Sequence, residues 1–405
     1  MLRSAAASRK KTVREATSSN EARRGRMDIT AYRKHPGISL DQHVKQRVVE
    51  LGKSLEQRVP VYLDTKFWII LRDSASGART DAPALDLLQR LRRLVGNGTI
   101  FCPISDSAFS EFMKRGDLLS RLAIARIVDE LSLGVTCLDS RTRMRIEIAH
   151  FVHGFQNDGH ELHPLHHLVW SKLAYVLGFV HPNETPFDAE TELAIQKAFF
   201  DHMWGQSLET MMTTIGTASP PDGLHFDTSD LNRGVEEHAH ELKSFEQCYE
   251  AEIRGSVELG AELAMDITGE LFREKTAEPP PERGSAQWQK FWSQWANLLF
   301  TALTRRPEIR QQLRMLHIYA SLHAAFRWNK ARRFKSNDLY DFEHASAALA
   351  HCRAFFTESA LHATITARNI ALDTLFQCRV ASEIEDAISV LKEIEAARGE
   401  LNMAG

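Results

Sequence analysis

The sequence predicts an α/β protein built on a mostly parallel sheet and interrupted by a large all-helical insertion. Three observations carry this. Short β-rich runs, VPVYLD (59–64), TIFCP (99–103) and GVTCL (134–138), alternate with helical patterns, as in sheets covered by helices on both faces. Residues 141–334 then read as helix almost throughout. After 335 the alternation returns with RAFFT (353–357) and a strand around FQCRVA (376–381).

Residues 1–26 carry eight Lys/Arg against two Glu and hardly any large apolar side chain, so they predict a disordered basic tail. Met27 opens more structured-looking sequence and is a candidate translation start. Over 27–58 a helical lead-in, strongest near 40–57, runs into VPVYLD, a buried strand that delivers Asp64 to the edge of a sheet. An acid ending such a strand has no routine structural task. The first half of the α/β domain spans 59–140. Its helix around 84–95 sets Leu85, Leu87, Leu88, Leu91 and Leu94 on one face, and a helix opening at Ser105 or Asp106, either a good N-cap, carries Glu111.

The insertion, 141–334, is broken by Pro- and Gly-rich loops at 216–230 and 276–285. Its Trp170, Trp204, Trp288, Trp292 and Trp295 are expected to be core residues, the last three on one helical face. The second half, 335–405, holds a helix around ASAALA (345–350), the strand RAFFT, the strand near 376–381, and a last helix opened by a capping box of Ser382 and Glu385.

With 43% hydrophobic and 25% charged residues, the composition is that of a globular protein. Five scattered cysteines without a CxxC pair argue against a disulfide framework or a thiolate zinc site and fit a reducing cytoplasm. No run reaches the roughly 18–20 apolar residues that a membrane helix needs, so no membrane partner is expected.

Four acids stand where this alternation brings chain segments together. Asp64 ends the first strand, Glu111 lies in the helix after the second, Asp341 starts the ASAALA helix, and Glu358 follows RAFFT. In an open parallel sheet, sites form outside the carboxyl ends of the strands. Converging carboxylates repel unless a cation neutralises them, and an all-oxygen set suits Mg²⁺ or Mn²⁺. The chemistry implied is phosphodiester hydrolysis. Asp338 rivals Asp341 as a ligand, helix capping being the other task for either.

VYLDTKFWIIL resembles the first motif of PIN-like nuclease domains, ISDSAFSEFMK the second, and NDLYDFEHASAALAHCRAFFTES the third and fourth together. The resemblance covers roughly 60–140 and 335–390. It implies a three-layer α/β/α sandwich, a Mg²⁺- or Mn²⁺-dependent nuclease activity, and RNA as the usual substrate. Asp64, Glu111, Asp341 and Glu358 take the family's four acidic positions, and Thr65, Ser110, His344 and Thr357 are candidates to support them. Two departures stand out, Lys66 after Asp64-Thr65 and Glu in place of the commoner Asp at 358. They keep open a catalytically silent scaffold that binds RNA or protein, in which the Lys66 ammonium beside Asp64 replaces a metal.

Between 303 and 335 the chain holds nine Lys/Arg and the single acid Glu308. With Lys66, the residues Arg327, Lys330, Arg332, Arg333 and Lys335 are candidates to meet a phosphate backbone, and Trp328 and Phe334 to stack on unpaired bases. A solvated helix face is the plainer reading of such a run. The insertion is expected to restrict substrate or to bind a partner protein. His150, His153, His160, His163, His166 and His167 offer a third alternative, a zinc site in which His163 and His167 share a helical face.

Overall fold

The computed structural model describes residues 29–34, 36–155, 162–218, 227–238, 240, 242–330 and 332–404. The expected basic tail, Met27 and His160 lie outside them. By its contacts the chain separates into two units. One combines the stretch up to Arg47 with Phe179–Gly205; the other combines Val48–Gly178 with the chain from Gln206 onward.

The smaller unit is organised around Asp201, on the helix Ala189–Trp204. Its carboxylate accepts from the Tyr32 hydroxyl at 2.8 Å and lies 3.3 Å from His43 Nε2 and 3.1 Å from Arg47 Nε. Residues 179–205 therefore belong with the lead-in by packing, although by sequence they lie in the insertion.

The larger unit holds a four-stranded parallel sheet in the order β2-β1-β5-β6. β1 is Val59–Leu63, β2 Ile100–Phe101, β5 Ala354–Phe356 and β6 Arg379–Ala381. Alternation along β1 separates two faces. Val61 and Leu63, with Ala354 and Phe356 of β5, join an apolar cluster supplied by the helices Thr65–Ser76, Ala82–Gly96, Leu118–Ser132 and Ile384–Ala404. Tyr62 and Phe355 point the other way, toward the helix Ser336–His351. The central strands are thus buried on both sides, which is why they read as continuous apolar runs.

Three expectations change here. GVTCL forms β3, Val135–Cys137, but meets the sheet only through a parallel bridge between Ile104 and Thr136. It pairs antiparallel with β4, Trp170–Lys172, so the insertion contributes a strand. FQCRVA is only half strand: Leu372–Phe376 is helical, and Gln377, at φ 54°, takes the left-handed conformation that ends that turn before β6. The last helix begins at Ile384, one residue too late for Ser382 to be its N-cap.

The rest of the insertion is fused to this unit. The 32-residue helix Phe245–Thr276 packs on Ala286–Arg305, Arg314–Trp328 and Ser140–His153. At Gly260 a Cβ would come within 3.1 Å of Leu299 and 3.2 Å of Leu316, so glycine sets the helix spacing. Glu147 is buried and accepts from the Met315 backbone N–H at 2.9 Å, satisfying the start of the Arg314–Trp328 helix. Trp170 and Trp204 are buried as expected. Trp288, Trp292 and Trp295 are only half-buried, and Trp288 stacks on Trp292 with ring centroids 6.4 Å apart. No helix among the described residues is long and apolar enough to cross a membrane.

Candidate active site

The sheet places Asp64 at its centre. The Asp64 backbone N–H donates to Phe356 O at 3.0 Å, and the Thr357 N–H donates to Ala381 O at 2.9 Å, so the first and fourth acidic segments leave neighbouring strand ends. The chain turns from β1 to β2 on one side and from β5 to β6 on the other. The crevice at such a reversal is where open α/β sheets form sites. Asp64 also has a structural task that the sequence reading missed, because Oδ1 accepts from the Phe67 N–H at 3.2 Å and caps the helix Thr65–Ser76.

Glu111, on the helix Asp106–Met113, is held by two hydrogen bonds to the same oxygen. Thr65 Oγ1 donates to Oε2, and His344 Nε2 lies 2.9 Å from it. The opposite ring nitrogen of His344 is 2.7 Å from the Tyr62 hydroxyl, which is 2.5 Å from Ser105 Oγ; Ser107 Oγ follows at 2.6 Å. His344 sits one helical turn after Asp341 and is buried. A chain of polar groups thus runs from Glu111 into the protein interior.

The electrostatics tie the acids together. Burial pushes the Asp341 carboxyl up to about 7; His344 opposes this, while the charges of Glu358, Glu111 and Asp338 add to it. Burial likewise pushes Asp64 up to about 6, against help from His344, Thr357 and the Phe67 N–H, with Glu358 adding to the rise. Burial also disfavours the charged form of Glu111, but hydrogen bonding and charge from His344, then Thr65, hold it below its ordinary value. For His344 burial is outweighed by Glu111, Asp64 and Asp341, which raise its pKa. Asp64, Glu111, Asp341 and Glu358 are therefore brought into one field, with Glu358 at its exposed rim.

This field fits a divalent cation in its chemistry. The donors are hard oxygens, and burial, with neighbouring carboxylates adding to it, makes Asp64 and Asp341 resist ionisation, which a bound cation would offset. Thr357 Oγ1 is buried beside Asp64 and helps hold down its pKa, although among the described residues it makes no hydrogen bond of full geometry. The carboxylate oxygens do not gather three at a time within 4.8 Å of one another among the described residues, so closing around an ion needs side-chain rotation.

Several sequence-based assignments change. Asp338 uses one oxygen on the Lys335 N–H, at 2.7 Å, and the other on Arg332 Nη2, at 3.0 Å, so it caps the helix instead of offering a ligand. Lys66 Nζ donates to Ser382 O at 2.7 Å, beyond the β6 end, and does not neutralise Asp64. Ser110 is buried but is not a hydrogen-bond partner of Glu111 among the described residues. In the basic block, Arg327 pairs with Glu252 at 2.7 Å, Arg333 pairs with Glu236, and Arg332 both binds Asp338 and lies 3.5 Å over the Phe326 ring. Lys330 and Lys335 are exposed. Phe334 packs inside a cluster with Phe326 and Phe342 and has no face for a base, whereas Trp328 is exposed. His163 precedes the short helix Leu165–Leu168 and does not share a helical face with His167.

Sequence reasoning missed Tyr62, Ser107, Lys114 and Tyr340, and took Ser105 only as a cap. Lys114 Nζ lies 3.5 Å over the Tyr340 ring and feels the Glu111 charge, as does Arg115. The i,i+3 spacing of Glu111 and Lys114 was a legible signal; the inward direction of Tyr62 was not. The chain matches no family model, no curated protein and no solved structure, so any functional reading stands on this geometry and on the motif resemblance.

Proposed function

We propose that the protein is a PIN-like, metal-dependent nuclease that hydrolyses phosphodiester bonds, with RNA as the favoured substrate. The observation that carries this reading is the convergence of acids at the β1/β5 crevice, where Asp64 and Glu358 leave neighbouring strand ends and burial, with Glu358 adding its charge, drives Asp64 up to about 6 and Asp341 up to about 7. Mg²⁺ or Mn²⁺ held by Asp64 and Asp341, with Glu111 and Glu358 in reach, would supply Lewis-acid activation of water and neutralise charge on the phosphodiester. Thr65 and His344 fix the Glu111 carboxylate, and Tyr62 and Ser105 fix the His344 ring. Lys114 and Arg115, near Glu111, are better placed than the 303–335 block to meet the substrate backbone, since Arg327, Arg332 and Arg333 are already paired.

One observation favours a catalytically silent scaffold instead. His344, buried among Asp64, Glu111 and Asp341, is itself an internal cation when protonated and offsets part of their negative charge. Cleavage of single-stranded RNA with Mn²⁺, compared between wild type and Asp64→Asn, separates the two. The nuclease reading expects cleavage that Asp64→Asn abolishes. Equal cleavage by both, or none by either on RNA and DNA, sinks it.

A further inference from the structure

A second constellation lies at the other end of the sheet. Glu56 follows the helix Leu40–Leu55 and precedes β1, while His166 and His167 occupy the turn Leu165–Leu168 of the insertion. One carboxylate oxygen of Glu56 and one ring nitrogen of each histidine lie within 4.8 Å of one another, the only such trio among the described residues.

Three further observations make this more than a chance meeting. His167 is 6% exposed, yet neither of its ring nitrogens has a hydrogen-bond partner among the described residues, a costly state for a buried imidazole. Its Nε2 stands 3.7 Å from Glu56 Oε1, too long for a hydrogen bond. That separation is close to the roughly 3.4 Å between neighbouring donors on a tetrahedral ion with bonds of about 2.1 Å. Finally, Gly52 brings the two segments together, because a Cβ there would sit 2.4 Å from the His167 Cα and carbonyl oxygen.

We infer that Glu56, His166 and His167 bind a zinc ion, with the fourth coordination position opening into the adjacent cavity. Imidazole and carboxylate together are a zinc donor set, and three protein ligands leave room for water. Glu56 and His166 line that cavity, of about 550 Å³, with Arg58, Arg314, Arg353 and His351. It lies by the starts of β1 and β5, whereas the acidic crevice lies beyond their ends. The ion would tie the lead-in helix to the insertion, across more than 100 residues of chain by the numbering. This inference is independent of the nuclease reading.

The full-length protein, loaded with Zn²⁺ and desalted, tests it by elemental analysis. Wild type and Asp64→Asn are expected to retain one zinc per chain. His166→Ala and Glu56→Gln, both at exposed positions, are expected to lose it or bind at least tenfold more weakly, with circular dichroism unchanged. Substitution by Co²⁺ is expected to give the visible absorption of a tetrahedral site in wild type and Asp64→Asn and not in His166→Ala or Glu56→Gln. No retention by wild type, equal retention by His166→Ala, or loss in Asp64→Asn overturns the assignment.

Discussion

Asp341→Asn tests whether the acidic crevice is an electrostatic strain that a cation relieves. Burial and its acidic neighbours push the Asp341 carboxyl from 3.8 to about 7, so ionising it is costlier in the folded state than in the unfolded chain. A rise of roughly 3 units at about 1.4 kcal/mol each sets an upper bound of about 4 kcal/mol of stability lost once the group is ionised. Because the folded state binds the proton more tightly, that loss accrues as pH rises from about 4 to about 7 and is complete above it. Protonated His344 acts in the same sense, since its raised pKa contributes stability below the unfolded value that disappears as pH rises through the folded one. Asparagine keeps the shape and removes the charge. In EDTA at about pH 8 the variant should therefore be more stable than wild type by up to about 4 kcal/mol, and near pH 4 the difference should vanish. Mn²⁺ should raise the urea midpoint of wild type by mass action and leave the variant nearly unmoved. Urea denaturation at several pH values, with and without Mn²⁺, measures all three. A variant less stable than wild type at high pH, with an unchanged pH dependence, would refute the reasoning.

Other perturbations probe separate parts of the molecule. Tyr62→Phe removes the hydroxyl that His344 Nδ1 and Ser105 share, so it should cost about 1–3 kcal/mol of stability and reduce RNA cleavage while leaving the circular dichroism spectrum intact. Lys114→Ala should weaken RNA binding and lower its salt slope by about one, whereas Arg327→Ala, whose guanidinium is already paired with Glu252, should leave the slope unchanged; filter binding between low and high salt compares them. Gly52→Ala forces a methyl group into the His167 backbone and should destabilise the fold by about 1–3 kcal/mol in thermal denaturation, and equal stability would show that the two segments move apart freely.

Local grammar was enough for the strands β1, β2, β3 and β5 and for the helices that follow them, because buried parallel strands carry continuous apolar runs and helix starts carry caps. Where short-range signals competed, it was not enough. Residues 376–378 have strand-like composition but lie in and just after a helical turn that the left-handed Gln377 ends, and Trp170–Lys172 forms a strand only because β3 offers it an unpaired edge. The basic block shows the same limit. Nine positive charges in sequence look like a phosphate-binding surface, but Glu252, Glu236 and Asp338 reach three of them from elsewhere in the chain or, for Asp338, from the start of the next helix.

By itself the sequence determined an α/β scaffold, its four acidic segments, and their chemical type, since those follow from periodicity and from the residue that ends each element. Tertiary structure alone decided which acids share a field. The pairing of β1 with β5 sets Asp64 beside Thr357 and Glu358 across almost 300 residues of chain by the numbering, and the Ser336–His351 helix brings Asp341 and His344 over them. It also turned Asp338 and Lys66 away, and it set Glu56 beside His166 and His167. The reason is physical: charge–charge and hydrogen-bond energies depend on distances in space, and the order of residues fixes those distances only within a few positions along one element.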